Sequence, residues 1–184
     1  TGEMTSEMMV DLYSVFAQAE SESISNNVKL GKRFNYKLGR VPMMYGTLLG
    51  YRKGEDGNPE IIPEEAEIIE IIYTKFLEGY SYHGIAQYLM EKGYKTKKGK
   101  TEWKRSVIQG ILHNEKYRGD VLVQKTYVVD LFTKKTAKNT GELPMYLIRN
   151  HHTPIINPEV YDQVQVECAR RNSLKPVSEK TVSK

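Results

Sequence analysis

Apolar residues recur at three- and four-residue intervals near the start of the chain, and they predict one long helix from about Thr5 to about Tyr36. Beyond Ala19 the helix becomes rich in serine and asparagine and then basic. Because a one-sided helix is marginally stable alone, we expect its apolar stripe to pack on another domain or on a second copy. The stripe consists of Met8, Met9, Leu12, Val15, Phe16 and Ala19.

Three shorter helical patterns follow, separated by a glycine turn and a basic loop. They begin at Pro63, at about Tyr82 and at about Trp103, and the first two stop before Gly79 and Gly93. Helix, short turn, helix, loop, helix is the general pattern of a helix-turn-helix domain. The residues that we expect these helices to bury are Ile68, Ile69, Ile72, Phe76, Leu77, Ile85, Ala86, Leu89, Met90, Val107, Ile108, Ile111 and Leu112.

The remaining segments predict a linker and a small β portion. Gly39 to Pro59 is rich in glycine and is typical of an extended linker ending in a turn. Val121, Val123, Tyr127, Val129, Leu131 and Phe132 are strand-like, residues 136–144 look like a loop, and Met145–Arg149 returns as a short strand. Pro158 opens a last helix that carries Cys168 on its apolar face.

We therefore predict a mainly α fold with a small β portion, of the α+β class: a long N-terminal helix, a linker, and a helix-turn-helix-like domain with a small antiparallel sheet. The predicted boundaries are 1–38 for the long helix, 39–51 for the linker, 52–172 for the compact domain and 173–184 for a disordered tail.

Charge is arranged in alternating blocks, although the net charge is only +4. Residues 1–28 hold five acids and no Lys or Arg, whereas residues 29–53 hold seven bases and no acid. Residues 54–91 hold nine acids against one lysine, and residues 92–118 hold nine bases against two acids. A polyanion would meet only the two basic segments. Solvated surface is the competing interpretation of either segment taken alone.

Composition excludes several kinds of protein and of site. The chain has no apolar run long enough to cross a bilayer, and its one cysteine excludes an internal disulfide. Its first residues lack a basic and an apolar region, so we expect that they are not a signal peptide. Cytoplasmic localisation is the expectation. His151 and His152 are adjacent, so we expect their side chains to point apart and to form no metal pair. We expect Cys168 to be a buried thiol and Trp103 to be part of the core.

The order of several motifs resembles the large serine recombinases of the resolvase/invertase superfamily, found on phages and transposons. These are AQ-x-ES-x-x-IS at Ala17–Ser25, the Gly/Tyr linker, the segment from Gly50 through the first two short helices, Trp103–Gly119, and NTGELPMY with NHHTPIINPEVYDQVQ towards the end. The resemblance covers residues 1 to about 171. The family's linker usually runs on as a short Tyr-Gly-Tyr-like stretch, whereas here three residues separate Tyr45-Gly46 from Gly50-Tyr51.

This resemblance implies that the first segment is the end of the long helix that closes a catalytic domain, and that residues 52–172 read the major groove of a DNA attachment half-site. The family's nucleophilic serine and its arginines match nothing here, so we expect no catalytic residue, no metal and no cofactor in this chain, with a zinc ribbon downstream in the parent protein. The parent would be a bacterial, nucleoid-associated enzyme that acts through a phosphoserine–DNA intermediate. Double-stranded DNA and further copies of the protein, as a dimer on each site and a tetramer in synapsis, are the implied partners.

The candidate DNA-binding residues fall into three groups. An exposed basic and amide face of the third short helix suits contacts to base edges and phosphates, and the flexible lysines of the basic loop suit phosphates. The end of the long helix and the linker suit backbone or minor-groove contacts. The groups are Lys104, Arg105, Ser106 and Gln109; Lys95, Lys97, Lys98 and Lys100; and Arg33, Tyr36, Lys37 and Arg40.

Two other classes of function remain open from the sequence. A stand-alone transcriptional regulator of the winged-helix type would explain DNA binding without catalysis, but its apolar first helix would then need a dimer. A protein-interaction module that uses the acidic helix surface would leave DNA affinity insensitive to Lys104 and Arg105.

Overall fold

The computed structural model describes residues 2–41, 43–130 and 133–173, with side chains from Ser6 onward. The predicted strand positions Leu131 and Phe132 and the predicted tail from residue 174 lie outside the described residues. The helices are α1 (Gly2–Lys37), α2 (Pro63–Leu77), α3 (Tyr82–Glu91), α4 (Arg105–Leu112) and α5 (Pro158–Ser173), with a 3₁₀ turn at Glu115–Arg118. The strands are β1 (Tyr51–Lys53), β2 (Pro59–Ile61), β3 (Val121–Val123), β4 (Thr126–Val128), β5 (Thr136–Lys138) and β6 (Tyr146–Ile148). The predicted α+β class is confirmed.

The chain divides into two compact units. The first, here called the helix–hairpin unit, comprises Thr1–Pro42 with Leu122–Leu147. The second, here called the helical unit, comprises Met43–Val121 with Ile148–Lys184. The helical unit differs from the predicted compact domain of residues 52–172, because it includes Met43–Tyr51 and does not include Leu122–Leu147. None of the described helices is long and apolar enough to cross a membrane.

In the helix–hairpin unit, α1 ends in a glycine cap. Gly39 has φ +72°, and its N–H donates to the Tyr36 carbonyl while the Arg40 N–H donates to the Asn35 carbonyl. This pair of bonds is a Schellman motif, which explains why the helix stops here. The apolar stripe predicted on α1 is exposed, with Met8 at 74% and Phe16 at 63%.

The prediction of a loop at residues 136–144 is wrong for its first residues, because β5 pairs with β4 as an antiparallel hairpin. Thr126 faces Lys138 and Val128 faces Thr136 across the pair. Strands of three residues are too short to show a period in the sequence. Strands β3 and β6 form a second two-stranded sheet.

The helical unit is built on α2, α3, α4 and α5. Pro63 begins α2 at a position where its missing N–H costs nothing, and the Ser81 hydroxyl caps α3 by accepting from the Gly84 N–H at 3.0 Å. Most of the predicted buried residues are confirmed, and the best buried are Ile69, Ile72, Phe76, Ile85, Leu89, Ile108 and Leu112.

Three expected core residues are exposed: Leu77 at 42%, Met90 at 38% and Val107 at 40%. These predictions were wrong because each residue lies at the edge of its helix's apolar stripe. Leu77 is the last residue of α2, and α4 has only eight residues, of which Ile108, Ile111 and Leu112 face the core. Trp103 and Cys168 are buried, as predicted.

The second half of the predicted linker is part of the helical core. Leu48, Leu49 and Tyr51 are buried, and the Tyr117 hydroxyl donates to the Leu49 carbonyl at 3.1 Å. Gly50 has φ +89°, and a Cβ there would lie 2.5 Å from an Ile155 methyl, so this position needs glycine. Strands β1 and β2 then form a hairpin around the predicted turn.

Candidate nucleic-acid interface

Helix α4 presents two different faces. Ile108, Ile111 and Leu112 are buried against the helical core. The four predicted contact residues on and before α4 are all exposed, namely Lys104, Arg105, Ser106 and Gln109. These four residues therefore lie on the solvent side of α4, where the base edges and phosphates of a nucleic acid can approach them.

The ring of Tyr82 on α3 lies below Arg105. The Arg105 guanidinium carbon is 5.8 Å from the ring centroid, a cation–π arrangement that orients the side chain while leaving it exposed. The Tyr82 hydroxyl in turn donates to the Cys168 sulfur at 3.6 Å. Burial, with a contribution from this bond, raises the pKa of Tyr82 to about 12, so the phenol stays neutral. Lys104 is held only loosely, with its ammonium 4.0 Å from the exposed Glu102 carboxylate.

The basic loop is a defined turn. The Thr96 N–H donates to the Lys100 carbonyl and the Gly99 N–H donates to the Thr96 carbonyl, each at 2.8 Å. Lys95, Lys98 and Lys100 are exposed on this turn and are free to approach a phosphate.

Lys97 differs from the other lysines of the loop. Its ammonium lies 2.7 Å from the Glu65 carboxylate and also donates to the Tyr51 carbonyl at 3.3 Å. The same Glu65 oxygen accepts the Gly50 N–H at 2.7 Å. The Lys97 side chain is 18% exposed, so its charge is used inside the fold and a phosphate would have to compete with a carboxylate for it.

The third group of predicted contacts lies at the end of α1. Lys37 and Arg40 are exposed, whereas Arg33 and Tyr36 are half-buried. The Tyr36 ring packs 6.4 Å from the ring of Tyr146 in β6. The structure therefore gives Tyr36 a neighbour that the sequence did not indicate.

The two histidines contradict the expectation that they point apart. His151 Nδ1 and His152 Nδ1 are 3.2 Å from each other, and His152 Nε2 lies 2.7 Å from the Lys116 carbonyl. The Gly119 carbonyl accepts the backbone N–H groups of both histidines, and the Lys116 carbonyl holds the His152 ring, so the two rings lie side by side. Burial lowers the pKa of both imidazoles. Within the described residues, no group of three or more His, Cys, Asp or Glu side chains could hold a metal ion.

Sequence reasoning missed a buried polar hub, Asn139. Its amide donates to the carbonyls of Gln124 and Leu143 at 2.9 and 2.7 Å, and its side-chain oxygen accepts the N–H groups of Gly141 and Leu143. The Asn-Thr-Gly turn pattern was visible, but the partners of the asparagine come from tertiary structure. Asn139 thereby fixes the segment that leads into β4.

The helical unit thus combines a buried core of α2–α5 with the exposed face of α4 and the small β1–β2 hairpin. The Recombinase family model matches residues 63–171, and the chain belongs to this family. This result confirms the resemblance stated from the motifs. A putative DNA recombinase of Bacillus subtilis (strain 168) is 31% identical over 139 residues, which cover 72% of this chain and 27% of the relative. The chain thus spans about a quarter of that protein's length.

Two solved structures share the fold. One is a crystal structure of an LSR–DNA complex, with 22% identity and a TM-score of 0.54, covering 85% of this chain and 42% of that chain. The other comes from work on the sequence requirements of the Listeria innocua prophage attP site, with 21% identity and a TM-score of 0.58, covering 85% of this chain and 57% of that chain.

Proposed function

We propose that this chain binds double-stranded DNA at an attachment half-site, as the DNA-binding part of a serine site-specific recombinase. The observation that carries the proposal is the α4 face, where Arg105, Ser106 and Gln109 are exposed while the opposite side of the helix is buried. Arginine and glutamine are the side chains that pair with guanine and adenine edges in the major groove. The family and the LSR–DNA complex with the same fold support this assignment.

The lysines of the basic loop supply a second kind of contact. Lys95, Lys98 and Lys100 are long, flexible and exposed, so they bind phosphates rather than read bases. In the parent protein a separate catalytic domain cuts, exchanges and rejoins strands, and this chain selects where that happens. The parent acts on the bacterial nucleoid as a dimer on each site and a tetramer in synapsis, and it carries a zinc ribbon downstream.

Selection from a random duplex library tests the proposal. The chain should enrich a defined sequence, protect one half-site of it in a footprint, and bind it at least about a thousandfold more tightly than random duplex. Affinity should fall steeply with salt, with log K against log salt decreasing by about 0.9 for each phosphate contact. Equal affinity for selected and random duplexes would refute sequence-specific recognition.

A further inference from the structure

Four side chains in contact connect the exposed face of α4 to the core of the helical unit. They come from four different helices and are Arg105, Tyr82, Phe76 and Arg171, here called the aromatic–arginine cluster. The Tyr82 ring, which lies under the Arg105 guanidinium, also stacks on the Phe76 ring, with centroids 5.4 Å apart and an interplanar angle of 9°. The Arg171 guanidinium carbon lies 4.1 Å from the Phe76 centroid. Arg105 is exposed, whereas the other three are half-buried or buried.

The inner end of the cluster is anchored by Arg171. Its guanidinium donates to the carbonyls of Phe76 and Tyr80 at 2.8 and 2.7 Å, and its Nε lies 2.6 Å from the Glu167 carboxylate. These bonds join α5 to the last turn of α2, next to the Phe76 ring, which has no exposed surface. The ring on which Tyr82 stacks is therefore fixed by the core.

Tyr82 is held at its other end as well. Its hydroxyl donates to the sulfur of Cys168, which is itself buried on α5. A ring stacked on a fixed neighbour and bonded through its hydroxyl has little freedom to turn away. Tyr82 therefore offers Arg105 a rigid aromatic surface at the boundary between core and solvent.

Arg105 differs from other arginines of the helical unit in what holds it. Arg52 pairs with Glu60 at 3.0 Å and Arg118 with Asp120 at 3.2 Å, but no carboxylate in the described part of the chain pairs with Arg105. Contact with an aromatic ring engages no N–H group in a hydrogen bond. All five N–H donors of the Arg105 guanidinium thus remain available to a ligand.

The place of Arg105 in α4 suits recognition of a base. It is the first residue of this helix, and residues at the N-terminal end of a helix in the major groove approach base edges. Arginine binds the O6 and N7 atoms of guanine through two parallel hydrogen bonds. Because a long side chain loses rotamer freedom on binding, an arginine that is already held in place binds with less entropic cost.

We propose that Tyr82 is a positioning residue that holds Arg105 in the orientation in which it selects one guanine of the DNA half-site. The inference rests on the proposed function for its ligand. It assigns part of the base preference to a residue of α3 that has no contact with DNA of its own. Since Tyr82 acts only through Arg105, its contribution disappears when Arg105 is absent.

The test measures a base preference in the whole chain. Selection with Arg105→Ala identifies the guanine that Arg105 reads, as the position where the preference of the wild type is lost. The two probes are the duplex enriched by the wild type and the same duplex with adenine at that position. Tyr82→Leu should lower the ratio of the two affinities by about two- to fivefold, the value of an exposed cation–π contact.

Two variants separate this role from a general effect on the fold. Tyr82→Phe keeps the ring and should keep the wild-type ratio. Tyr88→Leu is the matched control, because Tyr88 is another half-buried tyrosine of α3 whose ring faces Lys75 and Lys92 at 5.1 and 6.0 Å instead of α4. Its ratio should equal that of the wild type. A ratio of affinities measured on one preparation is independent of the fraction that is folded.

A double variant completes the experiment. Arg105→Ala/Tyr82→Leu should show the same ratio as Arg105→Ala, because Tyr82 has nothing left to position. The inference is overturned if Tyr82→Leu keeps the wild-type ratio, if it lowers the ratio equally without Arg105, or if Arg105→Ala loses preference at no guanine. Failure of the wild type to prefer any sequence would instead refute the proposed function, so the two failures are distinguishable.

Discussion

The ion pair between Lys97 and Glu65 distinguishes Lys97 from the other lysines of the basic loop, and this difference can be tested by mutation. By sequence, Lys97 belongs with Lys95, Lys98 and Lys100 as a phosphate contact. By structure, it joins the loop to α2 and to the start of β1. Replacing it with glutamine should therefore affect the stability of the fold more than the affinity for DNA.

The size of the effect follows from the contacts that are lost. Lys97→Gln removes one charge-assisted bond at 2.7 Å and one weaker bond at 3.3 Å to the Tyr51 carbonyl. A hydrogen bond to a charged group contributes about 1.5–3 kcal/mol. The Glu65 carboxylate is 26% exposed and keeps its bond from the Gly50 N–H, so it is not left entirely without compensation. We expect the free energy of unfolding to fall by about 1.5–3 kcal/mol.

Urea unfolding followed by circular dichroism measures this loss, with Lys98→Gln as the control. Lys98 is the next residue on the same turn and is exposed, so its replacement should change stability by less than about 0.5 kcal/mol. The salt dependence of DNA binding should show the opposite order, with the larger change in Lys98→Gln. Equal stabilities of the two variants would refute the structural role of Lys97.

Two further predictions concern the helical core. Tyr51→Phe should lower the free energy of unfolding by about 1–3 kcal/mol, because the Thr153 carbonyl and the Ile155 N–H lose their hydrogen bonds to the buried hydroxyl. Tyr80 is exposed, so Tyr80→Phe should change the free energy of unfolding little. Urea titration of both variants measures this difference. Stability should also fall as the pH is lowered through the usual histidine value of 6.5, since burial lowers the pKa of His151 and His152 and the unfolded chain then binds more protons. The double variant His151→Gln/His152→Gln should have a flatter profile between about pH 7 and about pH 5, and an unchanged profile would contradict this cause.

The sequence predicted the parts of the fold that have long periods. The stripe on α1 and the repeated isoleucines of α2 identify helices because each apolar face recurs over several turns. Proline at the start of α2 and glycine after α1 place the ends of those helices well. A three-residue strand offers no comparable pattern, and β5 was consequently taken for a loop.

The sequence predicted which side chains of the candidate site are exposed on α4, but not which residues of distant segments contact each other. Arg105 and Gln109 could be assigned to the exposed side of α4 because the apolar residues define the opposite side. Nothing in the sequence relates Lys97 to Glu65, which are 32 positions apart, or Asn139 to Gln124. Contacts between distant segments form only when the chain folds, so charge patterns alone could not separate structural lysines from lysines that are free to bind DNA.

The preferred DNA sequence of Gln109→Ala tests the central claim most directly. Selection from the same random duplex library should give a preference that is relaxed at one or two positions, by about 1–3 kcal/mol, because the amide that reads a base edge is gone. Gln163→Ala, at an exposed glutamine on α5, should select the wild-type sequence. If Gln109→Ala also selects the wild-type sequence with unchanged strength, the exposed face of α4 does not read the DNA and the account is wrong.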